Sequence, residues 1–311
     1  MTSAGGDTSV VIPFYNREQY IDEAIKSVQA QTLQPLEIII VNDCSRETSR
    51  RYLDRYKDIC KIVDLPANVG LAGARNAGIR VARGNFVALL DDDDVWLPQK
   101  LEVQRRYLDE HPECSIVCSA VWGFFSDKPD EFWKSIGPRP LTLAEALTHE
   151  YWVVVPTMLI RSEVARSLGG FNQRFRFNED RDFVIRCAAA GYRIEGLVEP
   201  LARVRREGHD RLTRQHVRMF LGHAKVCWVH RAHYYHVYGA RGVVSFLLSS
   251  LHLATNQTRY VDGAVRRLCR LIKIKWEVKP GYYEPVQCEG QEQTIPVGSS
   301  TMLLPTARQQ P

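Results

Sequence analysis

Glycine is missing where a dinucleotide-binding enzyme would need it most. The turn after the first apolar strand reads Pro13-Phe14-Tyr15-Asn16-Arg17, and Gly70, Gly73 and Gly78 come later at the wrong spacing for Gly-x-Gly-x-x-Gly. A nicotinamide-dependent oxidoreductase is therefore excluded. The eight cysteines include no Cys-x-x-Cys pair. Met1 to Asp7 has no basic segment leading into an apolar core, so no export leader is expected, and reduced thiols in a cytoplasmic protein follow. Long hydrophobic runs are lacking too: the longest, Val243 to Ala254, is interrupted by Ser245, Ser249, Ser250 and His252. It falls short of the ~20 residues that span a bilayer. No internal repeat is visible.

The 311 residues are 45% hydrophobic and 25% charged, as in an ordinary soluble globular protein with a substantial core. The net charge of +5 is unevenly spread: residues 201–279 hold 16 Lys+Arg against 4 Asp+Glu, while residues 1–200 hold 24 against 29. That late basic segment implies an anionic partner.

Short apolar runs alternate with amphipathic stretches over the first two hundred residues. Strands are expected at Ser9 to Pro13, Leu36 to Val41, Lys61 to Leu65, Asn85 to Leu90 and Ser115 to Phe125. Helices are expected at Glu18 to Gln31, Glu47 to Tyr56, Ala72 to Ala82 and Pro98 to Glu110. This order predicts an α/β fold, a mostly parallel central sheet with helices on both faces, whose ligands bind beyond the carboxyl ends of the strands.

One strand ends in four consecutive aspartates, Asp91 to Asp94. Adjacent carboxylates repel unless a cation or a raised pKa relieves them. Hard oxygen ligands suit Mg²⁺ or Mn²⁺, and those ions suit a phosphate-bearing substrate. In an extended chain Asp91 and Asp93 would share one face, Asp92 and Asp94 the other. Helix capping ahead of Pro98 would use one aspartate and leave the rest unexplained.

Read together, the segments resemble glycosyltransferase family 2. The matching stretches are Val10 to Asn16, Ala24 to Thr32, Glu37 to Ser45, Asn68-x-Gly70, Ala74-Arg75-Asn76-x-Gly78-Ile79 and Leu90 to Pro98. Gly169-Gly170-Phe171 and Glu179-Asp180-x-Asp182 complete a set covering roughly residues 8–205. The resemblance implies the GT-A fold for residues 8–205. Residues 1–7 are then a flexible N-terminus, 206–279 a basic and mostly helical extension, and 280–311 a Pro-, Gly- and Gln-rich disordered tail.

The resemblance also implies residue roles. Asp43 accepts a hydrogen bond from the nucleotide base, with Asn42 and Cys44 replacing the usual aspartate and glycine and stiffening the turn. Pro13, Tyr15 and Asn16 wall the base and ribose pocket. Asp91 or Asp92 lies nearer the ribose, and Asp93, with Asp91, is the metal ligand. Arg75 meets the donor phosphates, Asp180 is the general base, and Glu179 orients the acceptor. His209 is a candidate third metal ligand or a contact to the diphosphate. Each has a plainer reading: a turn or cap residue for Asp43, a half-buried aromatic for Tyr15, a solvated helix arginine for Arg75, a helix N-terminus for Glu179-Asp180, a surface histidine for His209.

His230, His233 and His236 fall at successive threes, more in keeping with a packed helix face than with a metal site. The basic helix expected at Asp262 to Trp276 either lies on the anionic cytoplasmic leaflet or docks on the catalytic domain. No nucleic-acid reading module accompanies the charge. The expected activity is metal-dependent, inverting transfer from a nucleotide-diphosphate sugar, UDP-sugar favoured, to a saccharide or lipid-linked saccharide. Its setting is cell-surface polysaccharide or glycolipid synthesis. The alternatives are a sugar-phosphate nucleotidyltransferase, which would carry a glycine-rich basic loop after the first strand, and a non-catalytic sugar-nucleotide binding protein.

Overall fold

A computed structural model describes residues 6–124, 130–133, 139–147, 153–206 and 216–240. Its elements run β1 (Thr8–Phe14), α1 (Glu18–Gln29), β2 (Glu37–Asn42), α2 (Glu47–Tyr52), β3 (Lys61–Asp64), α3 (Gly70–Val81), β4 (Phe86–Leu89) and β5 (Val95–Trp96). They continue with α4 (Lys100–Glu110), β6 (Cys114–Phe124), β7 (Glu131–Trp133), α5 (Leu143–Leu147), β8 (Leu159–Arg161), α6 (Ser162–Ser167), α7 (Glu179–Ala189), β9 (Arg193–Arg205) and α8 (His216–Val229). A further helical stretch covers 231–240. Strand order is β3-β2-β1-β4-β8-β6-β9-β5, with β7 on β6.

The half of the sheet that builds the site, β3-β2-β1-β4, is wholly parallel. Beyond β4 the sheet is mixed: β8 runs antiparallel to both β4 and β6, while β6 and β9 are parallel. Period-two alternation sends the side chains of β1 into two cores. Val10, Ile12 and Phe14 meet Ile21, Ile25 and Val28 of α1 and Leu101 of α4. Val11 faces Ala74 and Ala77 of α3 together with Phe171 and Phe183. A strand apolar on both faces is what a central parallel strand requires.

Two glycines set the spacing around α3. A Cβ on Gly78 would lie 2.2 Å from Val11 Cγ1, so α3 rests directly on β1. Gly170, at φ 71°, gives Asn76 room to bind the neighbouring backbone. Asn76 Nδ2 donates to Phe171 O (2.7 Å), and its Oδ1 accepts from Phe171 N (2.7 Å). The sequence segments around Asn76 and Gly170 are thus two sides of one contact.

Residues 216–240 pack onto this core. Val226, Cys227 and Tyr234 join the cluster that holds Phe171 and Phe183. Tyr238 Oη donates to Ala144 O (2.6 Å), and Lys225 Nζ donates to Arg174 O. His230 Nε2 lies 2.9 Å from Asp182 Oδ1, inside the protein, while Arg186 Nε holds Asp182 Oδ2 at 2.7 Å. Burial alone would raise the Asp182 pKa, but these two partners win and lower it. The helix carrying Glu179 and Asp180 is therefore tied to the segment that follows β9.

Candidate active site

Four chain segments meet beyond the carboxyl ends of the parallel strands. After β1, Asn16 turns the chain at φ 54°, a left-handed conformation that asparagine tolerates. Its N–H donates to Ser45 Oγ (3.1 Å), and its Oδ1 accepts from Arg46 N (2.8 Å), joining the first two loops. Tyr15 beside it is 48% exposed, available to a ligand, whereas Pro13 is buried in β1.

Asp43, after β2, is buried, and its carboxylate accepts the backbone N–H of Val69 (2.7 Å) and of Gly70 (2.9 Å). Those donors open α3, where a negative charge also faces the helix dipole. Asp43 thus serves as a long-range cap, and each oxygen keeps a second lone pair. Cys44 adopts φ 57°, the left-handed conformation that glycine would take freely.

The four aspartates form a turn rather than continuing the strand, which corrects the extended reading: Asp94 N donates to Asp91 O at 3.1 Å. Repulsion between neighbouring carboxylates is relieved by bending the chain so that Asp91 meets Arg75, Asp92 and Asp93 share Arg17, and Asp94 meets the backbone of Arg205. Asp94 faces inward and accepts Arg205 N (2.9 Å), fixing the end of β9. Asp92 is also buried, and desolvation together with the charges of Asp93 and Asp91 pushes its carboxyl up to about 8 against the pull of Arg17. Asp91 and Asp93 keep open faces, their side chains 25% and 15% exposed. Asp92 and Asp94 are thus the more buried two of the four, although Arg17 touches Asp92 and Asp93 together.

Arg75 is not a solvated helix residue. It is 1% exposed, with Nη2 at 2.7 Å from Asp91 Oδ1 and Nη1 at 2.8 Å from Glu179 Oε1. Burial alone would lower its pKa; Asp91 and Glu179 overcome that and raise it. One guanidinium therefore joins the aspartate turn to the start of α7. There Asn178 stands at φ 62°, and Asp180 Oδ1 accepts the Arg181 N–H at 2.7 Å. Burial raises the Asp180 carboxyl, opposed by that N–H and by Arg75, and the charge of Asp91 reaches it as well. Glu179 is raised by burial and by Asp180, with Arg75 opposing.

Two arginines at the site carried no signal in the motif reading. Arg17 Nη1 lies 2.9 Å from Asp93 Oδ2 and 3.2 Å from Asp92 Oδ1. Arg205 donates from Nε to Asp93 O (3.2 Å) and from Nη2 to Glu23. The demand of four adjacent carboxylates for counter-ions was the available clue. His209 and the basic helix expected at Asp262 to Trp276 lie outside the described residues. Of the three spaced histidines, His230 is buried against Asp182, His233 is half-buried and His236 is exposed, so the packed-face expectation holds only for the first. Clefts of about 200 Å³ beside Tyr107 and Val198 and about 530 Å³ beside Leu36 and Lys57 are lined by other residues.

Among the described residues no three His, Cys, Asp or Glu side chains converge to cage an ion. The donor set nevertheless fits a hard divalent cation. Mg²⁺ and ions like it are commonly held by one or two carboxylates, with substrate phosphates and water completing the shell. Asp91 and Asp93 are two such carboxylates with open faces.

A parallel half-sheet ending in a carboxylate turn, faced by a second acid pair, is the GT-A architecture seen in S. aureus TarS. The family model for glycosyl transferase family 2 matches residues 9–169, and the chain belongs to that family. An uncharacterized glycosyltransferase of Methanocaldococcus jannaschii is 30% identical over 211 residues, 65% of this chain and 71% of that one. The amylovoran biosynthesis glycosyltransferase AmsE of Erwinia amylovora is 30% identical over 207 residues, 63% of this chain and 75% of its own. The structure of S. aureus TarS with UDP-GlcNAc aligns at TM-score 0.64 and 20% identity, covering 89% of this chain and 78% of that one. The mannosyltransferase PcManGT from Pyrobaculum calidifontis, with GDP-Man and Mn²⁺, aligns at 0.54 and 17%, covering 87% and 81%. At these identities the two structures establish the shared fold.

The raised Asp92 carboxyl fixes a sign for stability. Below the ordinary carboxylate range Asp92 is protonated whether folded or unfolded. As pH rises toward about 8 the unfolded chain releases the proton first, so stability is lost across that window. Asp92→Asn imitates the protonated form. Thermal melts of the metal-free protein should show it gaining at least about 1 kcal/mol over wild type at pH 8.5, with the gain vanishing near pH 4. An equal effect at both pH values would show that the carboxyl is not perturbed.

Proposed function

We propose that this chain is a metal-dependent, inverting glycosyltransferase that moves a sugar from a nucleotide diphosphate to an acceptor hydroxyl. The observation that carries this reading is the Arg75 bridge, which brings the donor-side turn at Asp91 and the base-side helix at Glu179 to one guanidinium. Donor and acceptor chemistry must meet at such a junction.

Tyr15 and Asn16, with Pro13 behind them, wall the base and ribose pocket, and the spare lone pairs of Asp43 accept from the base. Arg75 orients Asp91, which with Asp92 borders the ribose and diphosphate. Asp93 and Asp91 would hold Mg²⁺ or Mn²⁺. When bound, the cation offsets the negative charge that develops on the departing diphosphate. The acceptor oxygen bonds to the anomeric carbon as the bond from that carbon to the diphosphate oxygen breaks. The hydroxyl proton passes to Asp180, whose burial makes its ionised form a stronger base. Glu179 orients the acceptor. A single displacement of this kind inverts the anomeric centre.

A UDP-sugar donor is supported by TarS, solved with UDP-GlcNAc, and a manganese site by PcManGT, solved with Mn²⁺. Polysaccharide or glycolipid synthesis is supported by AmsE, named for amylovoran biosynthesis. Among the described residues no helix is long and apolar enough to cross a membrane. Contact with the cytoplasmic leaflet would come from the basic stretch 262–276, where anionic lipids attract each exposed Lys or Arg by ~1 kcal/mol.

Asp180→Asn should retain Mn²⁺-dependent donor binding by calorimetry while transfer falls by roughly 10²–10⁴-fold. Asp93→Ala should lose the metal-dependent part of donor binding. Undiminished turnover in Asp180→Asn would remove Asp180 from the chemistry. For the membrane contact, deleting residues 260–311 should shift the protein from the membrane to the soluble fraction, and unchanged partitioning would refute it.

A further inference from the structure

The aspartate turn already has a cation. Arg17 Nη1 sits between Asp93 Oδ2 (2.9 Å) and Asp92 Oδ1 (3.2 Å), and its side chain is 29% exposed, against 2% for Arg75. Its backbone is firmly set. Asn16 before it is tied to Ser45 and Arg46, and Arg17 O accepts Tyr20 N (3.1 Å) in the first turn of α1. A fixed backbone with a long, partly solvated side chain can exchange partners without disturbing the fold. The other arginines here are differently placed: Arg75 is buried between Asp91 and Glu179, and Arg205 donates to the Asp93 backbone carbonyl.

We infer that Arg17 is a resident counter-ion that competes with the divalent cation for Asp93 and makes capture of the cation conditional on a diphosphate. The inference rests on the metal-dependent reading above and adds a residue to it. With no donor present, the guanidinium, held by both Asp92 and Asp93, neutralises Asp93 and weakens its hold on a free ion. An arriving diphosphate offers it oxygen pairs of matching planar geometry, and Asp93 is released to the ion. Two cations competing for one carboxylate are linked reciprocally, with couplings typically worth roughly 5- to 150-fold in affinity.

The test is Mn²⁺ titration of the full chain, followed by loss of the electron paramagnetic resonance signal of free Mn²⁺, with and without UDP. Arg17→Met should bind Mn²⁺ alone about tenfold more tightly than wild type. Arg17→Lys, which keeps the charge, should stay near wild type. UDP should strengthen Mn²⁺ binding more in wild type than in Arg17→Met. If circular dichroism shows Arg17→Met unfolded, Arg17→Gln makes the same comparison. Wild type that takes up Mn²⁺ with UDP while the neutral variant gains nothing overturns the role of Arg17 alone. Wild type that binds no Mn²⁺ even with UDP overturns the metal-dependent reading and this inference together.

Discussion

A guanidinium buried between two carboxylates governs the geometry of this site. Taking Arg75 out of water is costly and is offset only because Asp91 and Glu179 meet it at 2.7 and 2.8 Å. Those carboxylates belong to parts of the chain far apart in sequence, a turn after β4 and the first residue of α7. Neither can move far without leaving a charge buried and unpaired. Arg75 lies 5.4 Å over the Phe171 ring, and the adjacent Asn76 binds the Phe171 backbone through both amide atoms. Two adjacent residues of α3 thus register the aspartate turn against the start of α7 and the backbone at Phe171.

Charge explains the rest of the arrangement. The four aspartates are sorted by the turn into an inward pair and an outward pair. The inward Asp94 fastens β9, while the inward Asp92 stays protonated more readily than an ordinary carboxyl. The outward pair, Asp91 and Asp93, is the less buried one. Asp182 of α7 is held by Arg186 of the same helix and by His230, so the helix that begins at Glu179 is tied to the segment that follows β9. That tie comes from residues 216–240, beyond the stretch matched by the family model.

The parallel half of the sheet was legible because β1, β2 and β4 are apolar on both faces, a pattern few other folds require. The antiparallel return through β8 was not, since Leu159–Arg161 is too short to show a period. Asp43, Arg75, Glu179 and Asp180 were singled out through motif order. Their contacts were hidden, because Arg75 on a helix looks the same in sequence whether solvated or buried. Local pattern also misjudged Asp91 to Asp94: alternation assumes an extended chain, and self-repulsion among like charges favours a turn. Arg17 and Arg205 escaped notice because a counter-ion is defined by where folding brings it and not by its neighbours in the chain.

The coupling through Arg75 can be measured as a double-mutant cycle on unfolding free energy, using Asp91→Asn and Glu179→Gln singly and together. Both partners bind one guanidinium, so their effects should be non-additive by at least about 0.5 kcal/mol, and the non-additivity should disappear when the cycle is repeated in Arg75→Met. Additive effects in the Arg75 protein would contradict the account, because the two acids would then be independent of the residue said to join them.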